Sequence, residues 1–274
     1  MKNYTGWLSK TIFKSPEAER LLAELECYQA RFLAEKADHY QNGWVHVRGR
    51  PLYTGDHLFG WSRQYEYPYI VANIPSDVSL EILDVGSGFS FLPFYLKGLN
   101  HTICTADIEP LQTLYQNSGI TFFQDDITQT QISNSFDLIY SVSVLEHIAN
   151  KKAAFENIYR LLKPKGWLIL TMDCDLGRTT TDTTPPIEEL FENIGLLNNL
   201  FNTPWQNGRY LRNELITTLD FSQQEGWRLP WRKMPVRYKS GWQWLRRTLK
   251  NPKIVHEEMP ILGVFVGVWE KGES

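Results

Sequence analysis

Three cysteines in 274 residues, Cys27, Cys104 and Cys174, are too few and too scattered to make a disulfide framework, and their odd number fits a reducing compartment. None has the spacing of a metal site. No window approaches the ~20 consecutive apolar residues that cross a bilayer. The opening stretch MKNYTGWLSKTIFK lacks the apolar run of a signal peptide, so a cytoplasmic location is expected. Nor is there an internal repeat, and a chain 42% hydrophobic and 22% charged is neither disordered nor fibrous. A net charge of -3 excludes a surface wholly committed to gripping nucleic acid.

What charge there is lies unevenly. Residues 228–253 hold nine of the 28 basic residues and no acid, which leaves 19 basic against 31 acidic residues elsewhere. Within that stretch GWQWLRRTLK, residues 241–250, sets Trp242, Leu245 and Leu249 on one helical face beside Arg246, Arg247 and Lys250. That pattern suits a helix resting on an anionic surface, and equally an insertion packed by its tryptophans and solvated by its charges. The second reading is preferred.

Ser15 and Pro16 followed by Glu17 and Glu19 form a helix start: a capping hydroxyl, a proline where no donor is needed, and acids at the positive end. Leu21, Leu22, Leu25, Tyr28, Phe32 and Leu33 recur at helical spacing and predict a helix over 16–38. Residues 43–75 are rich in aromatics and histidine, which marks a folded cap rather than a linker.

From Leu80 short apolar runs alternate with helical segments. LEILDVG, HTICTAD, ITFFQDD, FDLIYSV and GWLILTMD read as buried strands, with FLPFYLKGL, PLQTLYQNSG and NKKAAFENIYRLLKPKG as helices between them. This predicts an α/β fold, a doubly wound and mostly parallel seven-stranded sheet, with an N-terminal helical and aromatic cap. Residues 1–78 are assigned to the cap and 79–274 to the sheet domain, with insertions at about 176–225 and 239–256. Helices are expected near 187–201 and 209–225, and PILGVFVGVWEK as a last strand. In such sheets ligands bind beyond the carboxyl ends of the strands, where strand order reverses.

The segment ILDVGSGFSFL, residues 82–92, turns from strand to helix through two glycines. The turn suits an adenosine-bearing cofactor. A dinucleotide site would need a third glycine where Phe91 stands, and Asp84 repels a pyrophosphate while it welcomes an ammonium. A cationic, amino-bearing cofactor is preferred over a nicotinamide dinucleotide.

On these residues the segment from about 80 to 172 resembles the class I S-adenosylmethionine-dependent methyltransferases, in particular the small-molecule group with a VLEHI segment after the fourth strand. The family pattern DxGxGxG appears as DVGSGFS, with Ser90 in place of the last glycine. The resemblance implies that Asp84, Gly86, Ser87 and Gly88 border the methionine part of S-adenosyl-L-methionine. It implies that Asp107, with Ile108 beside it, receives the ribose hydroxyls, and that Asp126, or its neighbour Asp125, meets the adenine amino group with Ile127. Ser141 would lie beside the methionine moiety through its backbone. Arg63 would hold the cofactor carboxylate in a bidentate fork, or pair with Glu66 on its own helix face.

Methyl transfer from a sulfonium is an in-line displacement that needs alignment and water exclusion, and a base only for a weakly acidic hydroxyl or a protonated amine. His147 is the first candidate base and Glu146 the second; His147 could instead cap or orient its helix. His57, Trp61, Tyr65 and Tyr69 are candidate acceptor-lining residues from the cap. Asp173 and Asp175 are a weak metal pair, and no metal is expected. The expected reaction is O-methylation of a natural product, sugar or modified peptide. The competing readings are an RNA or protein acceptor held by the basic stretch 228–253, and a non-catalytic adenosyl-binding partner protein.

Overall fold

The computed structural model describes residues 2, 4–36, 46–47, 50–51, 62–176, 186–203, 215–217 and 262–273. The basic stretch 228–253, the insertion at 239–256, most of that at 176–225, and the candidates His57 and Trp61 lie outside the described residues.

In chain order, strand β1 (Gly6–Trp7) precedes helix α1 (Pro16–Glu35), and a short pair β2 (His46–Val47) and β3 (Arg50–Pro51) precedes α2 (Arg63–Ala72). The alternating unit follows as β4 (Glu81–Val85), α3 (Leu92–Gly98), β5 (Thr102–Asp107), α4 (Gln112–Tyr115), β6 (Thr121–Gln124), β7 (Phe136–Val142), α5 (Lys151–Leu161) and β8 (Leu162–Asp175). Helix α6 (Ile187–Phe201) and strand β9 (Leu262–Glu270) complete it. Ser15 Oγ accepts the N–H of Ala18, the cap its sequence predicts, and α1 ends at Glu35.

The sheet has seven strands in the order β1-β9-β8-β7-β4-β5-β6. Strands β8, β7, β4, β5 and β6 run parallel, and β9 is antiparallel to both β8 and β1. Order reverses at β4, whose neighbours are β5 and β7, so the ligand crevice of a doubly wound sheet opens above the ends of β4 and β7. Alternation along the strands buries both faces. Ile82, Ile103, Leu138, Tyr140 and Ile169 share one core with Leu25 and Phe32 of α1 and Tyr69 and Ile70 of α2. Leu83, Ile139, Leu168, Leu170 and Met172 share the other with Phe155 and Ile158 of α5 and Leu190 and Leu197 of α6.

Residues 209–225, expected as helix, are described at 215–217, and there they are not helical. Leu215 bridges Ser9 and Thr217 bridges Gly263, both antiparallel, and Ile216 N–H donates to Leu8 O. Leu215 and Ile216 are both buried. Pairing with the backbone of Leu8 and Ser9, just after β1, and of Gly263 in β9 overrides a local helical pattern. Among the described residues no helix is long and apolar enough to cross a membrane.

Candidate active site

The glycine corner is built as a strand-to-helix turn. Gly86 has φ +76° and Gly88 φ +51°, both in the left-handed region that glycine enters freely. Gly86 and Ser87 N–H both donate to Ala106 O, at 2.7 and 3.3 Å, and Gly88 N–H donates to Asp107 Oδ2 at 2.7 Å. The donors that a pyrophosphate would need are thus already engaged with β5. A Cβ added at Gly88 would meet nothing within 4 Å, so the turn is open on that side.

Asp107 accepts from Gly88 through Oδ2 and from Glu109 N–H through Oδ1, at 2.9 Å. Each oxygen keeps lone-pair capacity for a further donor, as a vicinal diol requires. Burial raises this carboxyl, against the lowering by those two N–H groups. Next to it Ile108 is 67% exposed, a large apolar side chain on the mouth of the crevice.

Asp84 lies beneath the turn, buried, with Oδ2 accepting from Tyr140 Oη at 2.9 Å. Burial pushes its carboxyl up to about 8; the Tyr140 bond opposes this and the charge of Asp107 adds to it. At neutral pH Asp84 is therefore largely a neutral acid awaiting a positive partner.

At the ends of β5 and β6 the adenine candidates divide. Asp126 is committed to its own short helix, Ile127–Gln129: Oδ1 accepts from Thr128 N–H at 2.9 Å and Thr128 Oγ1 at 2.8 Å. Asp125 Oδ2 accepts from Gln131 N–H at 3.0 Å, whereas its buried Oδ1 has no partner among the described residues. Ile127 is turned into the core under α5, and Ile108 is the apolar group left on the surface. Ser141 Oγ donates to Val85 O at 2.9 Å, tying β7 to β4 beside the turn.

Above β7 and β8 sits a buried polar cluster. Arg63 pairs with Glu66, so the within-helix alternative is the arrangement observed, with the Arg63 side chain still 27% exposed. Burial pushes Glu66 up, but Arg63 and the hydroxyls of Ser143, Thr171 and Ser62 outweigh it and hold the carboxylate below its usual range. Glu146 is buried; its Oε1 accepts from Asp173 N–H at 2.9 Å and its Oε2 has no partner among the described residues. Burial, reinforced by Asp173, raises Glu146 well above the carboxylate range. His147, the sequence's first candidate base, is exposed at the end of the Leu145–His147 turn. The structure thus buries Glu146 and leaves His147 at the surface.

Two of the cap candidates lie among the described residues. Tyr69 is fully buried and its hydroxyl donates to Tyr4 O, so it anchors the N-terminal segment instead of lining a cavity. Tyr65 packs edge-on against Phe13, with centroids 5.0 Å apart. Tyr67 was passed over in the sequence, yet it accepts from Ser90 Oγ at 3.0 Å and so joins α2 to the glycine turn. Among the described residues no group of three or more His, Cys, Asp or Glu is arranged to hold a metal ion.

Residues 83–170 match the family model described as "Methyltransferase domain". The ubiquinone biosynthesis O-methyltransferase of Rickettsia felis is 32% identical over 114 residues, covering 38% of this chain and 47% of that protein. The phosphoethanolamine N-methyltransferase of Plasmodium falciparum is 32% identical over 123 residues, covering 41% and 46%. The chain thus spans less than half the length of either relative. Among solved structures, the N-methyltransferase NodS from Bradyrhizobium japonicum in complex with S-adenosyl-L-homocysteine has a TM-score of 0.45 and 17% identity, covering 60% of this chain and 84% of that one. The Gly86–Gly88 turn, Asp84 and Asp107 all lie within residues 83–170, the segment of this chain that matches the methyltransferase-domain family.

Proposed function

We propose that this chain catalyses methyl transfer from S-adenosylmethionine to a small-molecule acceptor, at a hydroxyl of a natural product, sugar or modified peptide. The observation that carries the reading is the open Gly86–Gly88 turn, with Gly88 N–H on Asp107 and the neutral acid Asp84 below it, inside residues that match a methyltransferase domain. These residues fit the cofactor. Asp107 would receive the ribose diol, Ile108 would cover the adenine, Asp125 Oδ1 would meet its amino group, and Asp84 would face the methionine ammonium. Arg63 would hold the carboxylate with the donors that Glu66 does not use.

When bound, the cofactor supplies a sulfonium-activated methyl group. The chain contributes alignment and exclusion of water above β4 and β7. In its ionised form Glu146 would take the hydroxyl proton through Oε2 as the acceptor oxygen receives the methyl group and the sulfur keeps the electrons of the C–S bond. An amine acceptor is the second reading, favoured by the acidic groups Glu146, Asp173 and Glu66 that act on one another here, with Arg63 beside Glu66 and Asp173 only.

Calorimetry with S-adenosylhomocysteine tests the cofactor reading, with Asp107→Ala as control: tight binding lost in the variant supports it, and no binding by the wild type sinks it. A panel of hydroxyl and amine compounds, scored by mass spectrometry for gain of one methyl, then separates the two acceptor classes.

A further inference from the structure

Glu66 lies off the path of the proposed chemistry, yet it is 0% exposed and its carboxylate accepts from four side chains. Two belong to its own helix start, Ser62 Oγ at 2.7 Å and Arg63. The other two come from strand ends on the far side of the cleft, Ser143 Oγ at 2.5 Å and Thr171 Oγ1. A helix of the N-terminal segment is therefore bonded into the carboxyl ends of β7 and β8.

Ser143 is the informative partner. Its φ is +48°, a left-handed conformation that a residue with a Cβ adopts at a cost. Among the described residues, three of the other four non-glycine positions with positive φ are asparagines, a residue type whose short polar side chain can support that conformation. Serine does so less readily, and here the support comes from outside: Ser143 N–H meets Thr171 O at 3.1 Å and Thr171 Oγ1 at 3.2 Å, and its hydroxyl meets Glu66.

The left-handed residue reverses the chain directly after β7. Val144 is thereby laid against the glycine turn, where a Cβ on Gly86 would come within 2.5 Å of both its methyl carbons. Two residues further, Glu146 is brought onto Asp173 N–H. One strained residue thus sets the wall of the methionine end and the depth of the candidate base.

We infer that Glu66 is a positioning residue: by holding Ser143 in its left-handed turn it shapes the methionine end of the cofactor site, and couples the N-terminal cap to the glycine turn. The inference rests on the cofactor reading above. It implies that the turn needs Glu66 only because residue 143 carries a Cβ.

The test compares Ser143→Ala with Ser143→Gly by calorimetry with S-adenosylhomocysteine. Both lose the bond to Glu66, but only glycine keeps the left-handed turn without penalty. The alanine variant is expected to bind about tenfold more weakly, the population cost of that conformation for a residue with a Cβ. The glycine variant is expected to bind close to wild type, and its thermal midpoint should fall less than the alanine variant's, because a Cβ at positive φ costs more than the unfolded-chain entropy that glycine adds. Glu66→Ala should weaken binding, and adding Ser143→Gly should restore it; should Glu66→Ala leave Arg63 unpaired and fail to fold, the Ser143 pair decides alone. Equal loss in the two Ser143 variants, or no loss in either, overturns the inference and leaves the cofactor reading standing. A wild type that binds no S-adenosylhomocysteine overturns both.

Discussion

Tyr140 Oη donates to Asp84 Oδ2 at 2.9 Å in the buried floor beneath the glycine turn, and burial leaves that carboxyl titrating at about 8. An ordinary aspartate titrates near 4, so the folded chain holds a proton here that the unfolded chain has lost. The stabilisation belonging to that difference is fully present below about pH 4 and fades as pH rises through about 8. Asp84→Asn, neutral at every pH, should therefore lose less thermal stability than the wild type between pH 5 and 8.5. An ammonium brought next to Asp84 lowers its pKa, so cofactor binding at pH 7 should release a proton. Calorimetry in buffers of different ionisation enthalpy reads that proton directly, and Asp84→Asn should abolish the release. A release unchanged in the variant would assign the proton to another group.

The two glycines of the turn predict different failures. At Gly86 an added Cβ meets Val144 at 2.5 Å as well as an unfavourable φ of +76°, so Gly86→Ala should destabilise the apo protein by about 2 kcal/mol or more. At Gly88 the Cβ meets nothing within 4 Å, so Gly88→Ala should cost only the conformational term, about 1–2 kcal/mol. Its methyl would project into the open side of the turn, and its loss should fall on affinity for S-adenosylhomocysteine. Melting curves paired with calorimetry distinguish the two positions; parallel behaviour would contradict this division.

The acids at the strand ends, proposed to meet the ribose and the adenine, should respond differently to substitution. Asp107→Asn keeps an acceptor for Gly88 N–H but loses the charge, and is expected to weaken S-adenosylhomocysteine at least tenfold, since bonds to a charged partner contribute about 1.5–3 kcal/mol. Asp126→Asn should change affinity little, because that carboxylate serves its own helix start. A larger effect at Asp126 than at Asp125 would restore the order that the family resemblance suggests.

The sheet was legible because its strands carry their own signature: both faces are buried, so LEILDVG and GWLILTMD read as short, mainly apolar runs without strict alternation. The glycine turn and Asp107 were legible for a related reason, since backbone geometry and a charge at a strand end are local properties. What stayed hidden depends on partners distant in sequence. Glu66 meets Thr171 across 105 residues, and Tyr69 meets Tyr4 across 65. Nothing near Tyr69 distinguishes a core tie from a wall of the acceptor site. Which of Glu146 and His147 is buried turns on which side of one short turn faces inward, where Glu146 meets Asp173 N–H across 27 residues. Residues 215–217 mislead because pairing with backbone just after β1 and in β9 overrides their local pattern.

Ser90, which stands where the family pattern has its last glycine, donates to Tyr67 Oη at 3.0 Å and accepts from Leu92 N–H at 3.1 Å. The hydroxyl thus starts helix α3 and fastens α2 to the turn at once. Ser90→Gly should lower stability by roughly 1 kcal/mol for each bond lost. Tyr67→Phe should reproduce the part that belongs to the cap contact. A double variant no worse than Ser90→Gly alone would show that the two residues act through one bond; additive losses would show that they do not.

Glu146 and His147 make opposite predictions for the pH profile of methyl transfer. A base must lose its proton to act, and burial with Asp173 alongside raises Glu146 well above the usual carboxylate range. Turnover at saturating acceptor should therefore rise with pH and level off well above the range of an ordinary carboxylate. Glu146→Gln removes that dependence and, at about 10²–10⁴-fold for a general base, most of the rate, while S-adenosylhomocysteine still binds. His147→Gln, at an exposed position, should leave both the slope and the plateau nearly unchanged. If His147→Gln instead flattens the profile, the exposed imidazole is the base, and the buried Oε2 of Glu146 is then an acceptor-binding group that tolerates glutamine. Measuring the two variants on one acceptor over pH 5–9 decides between them, because Glu146→Gln and His147→Gln cannot both spare the pH dependence.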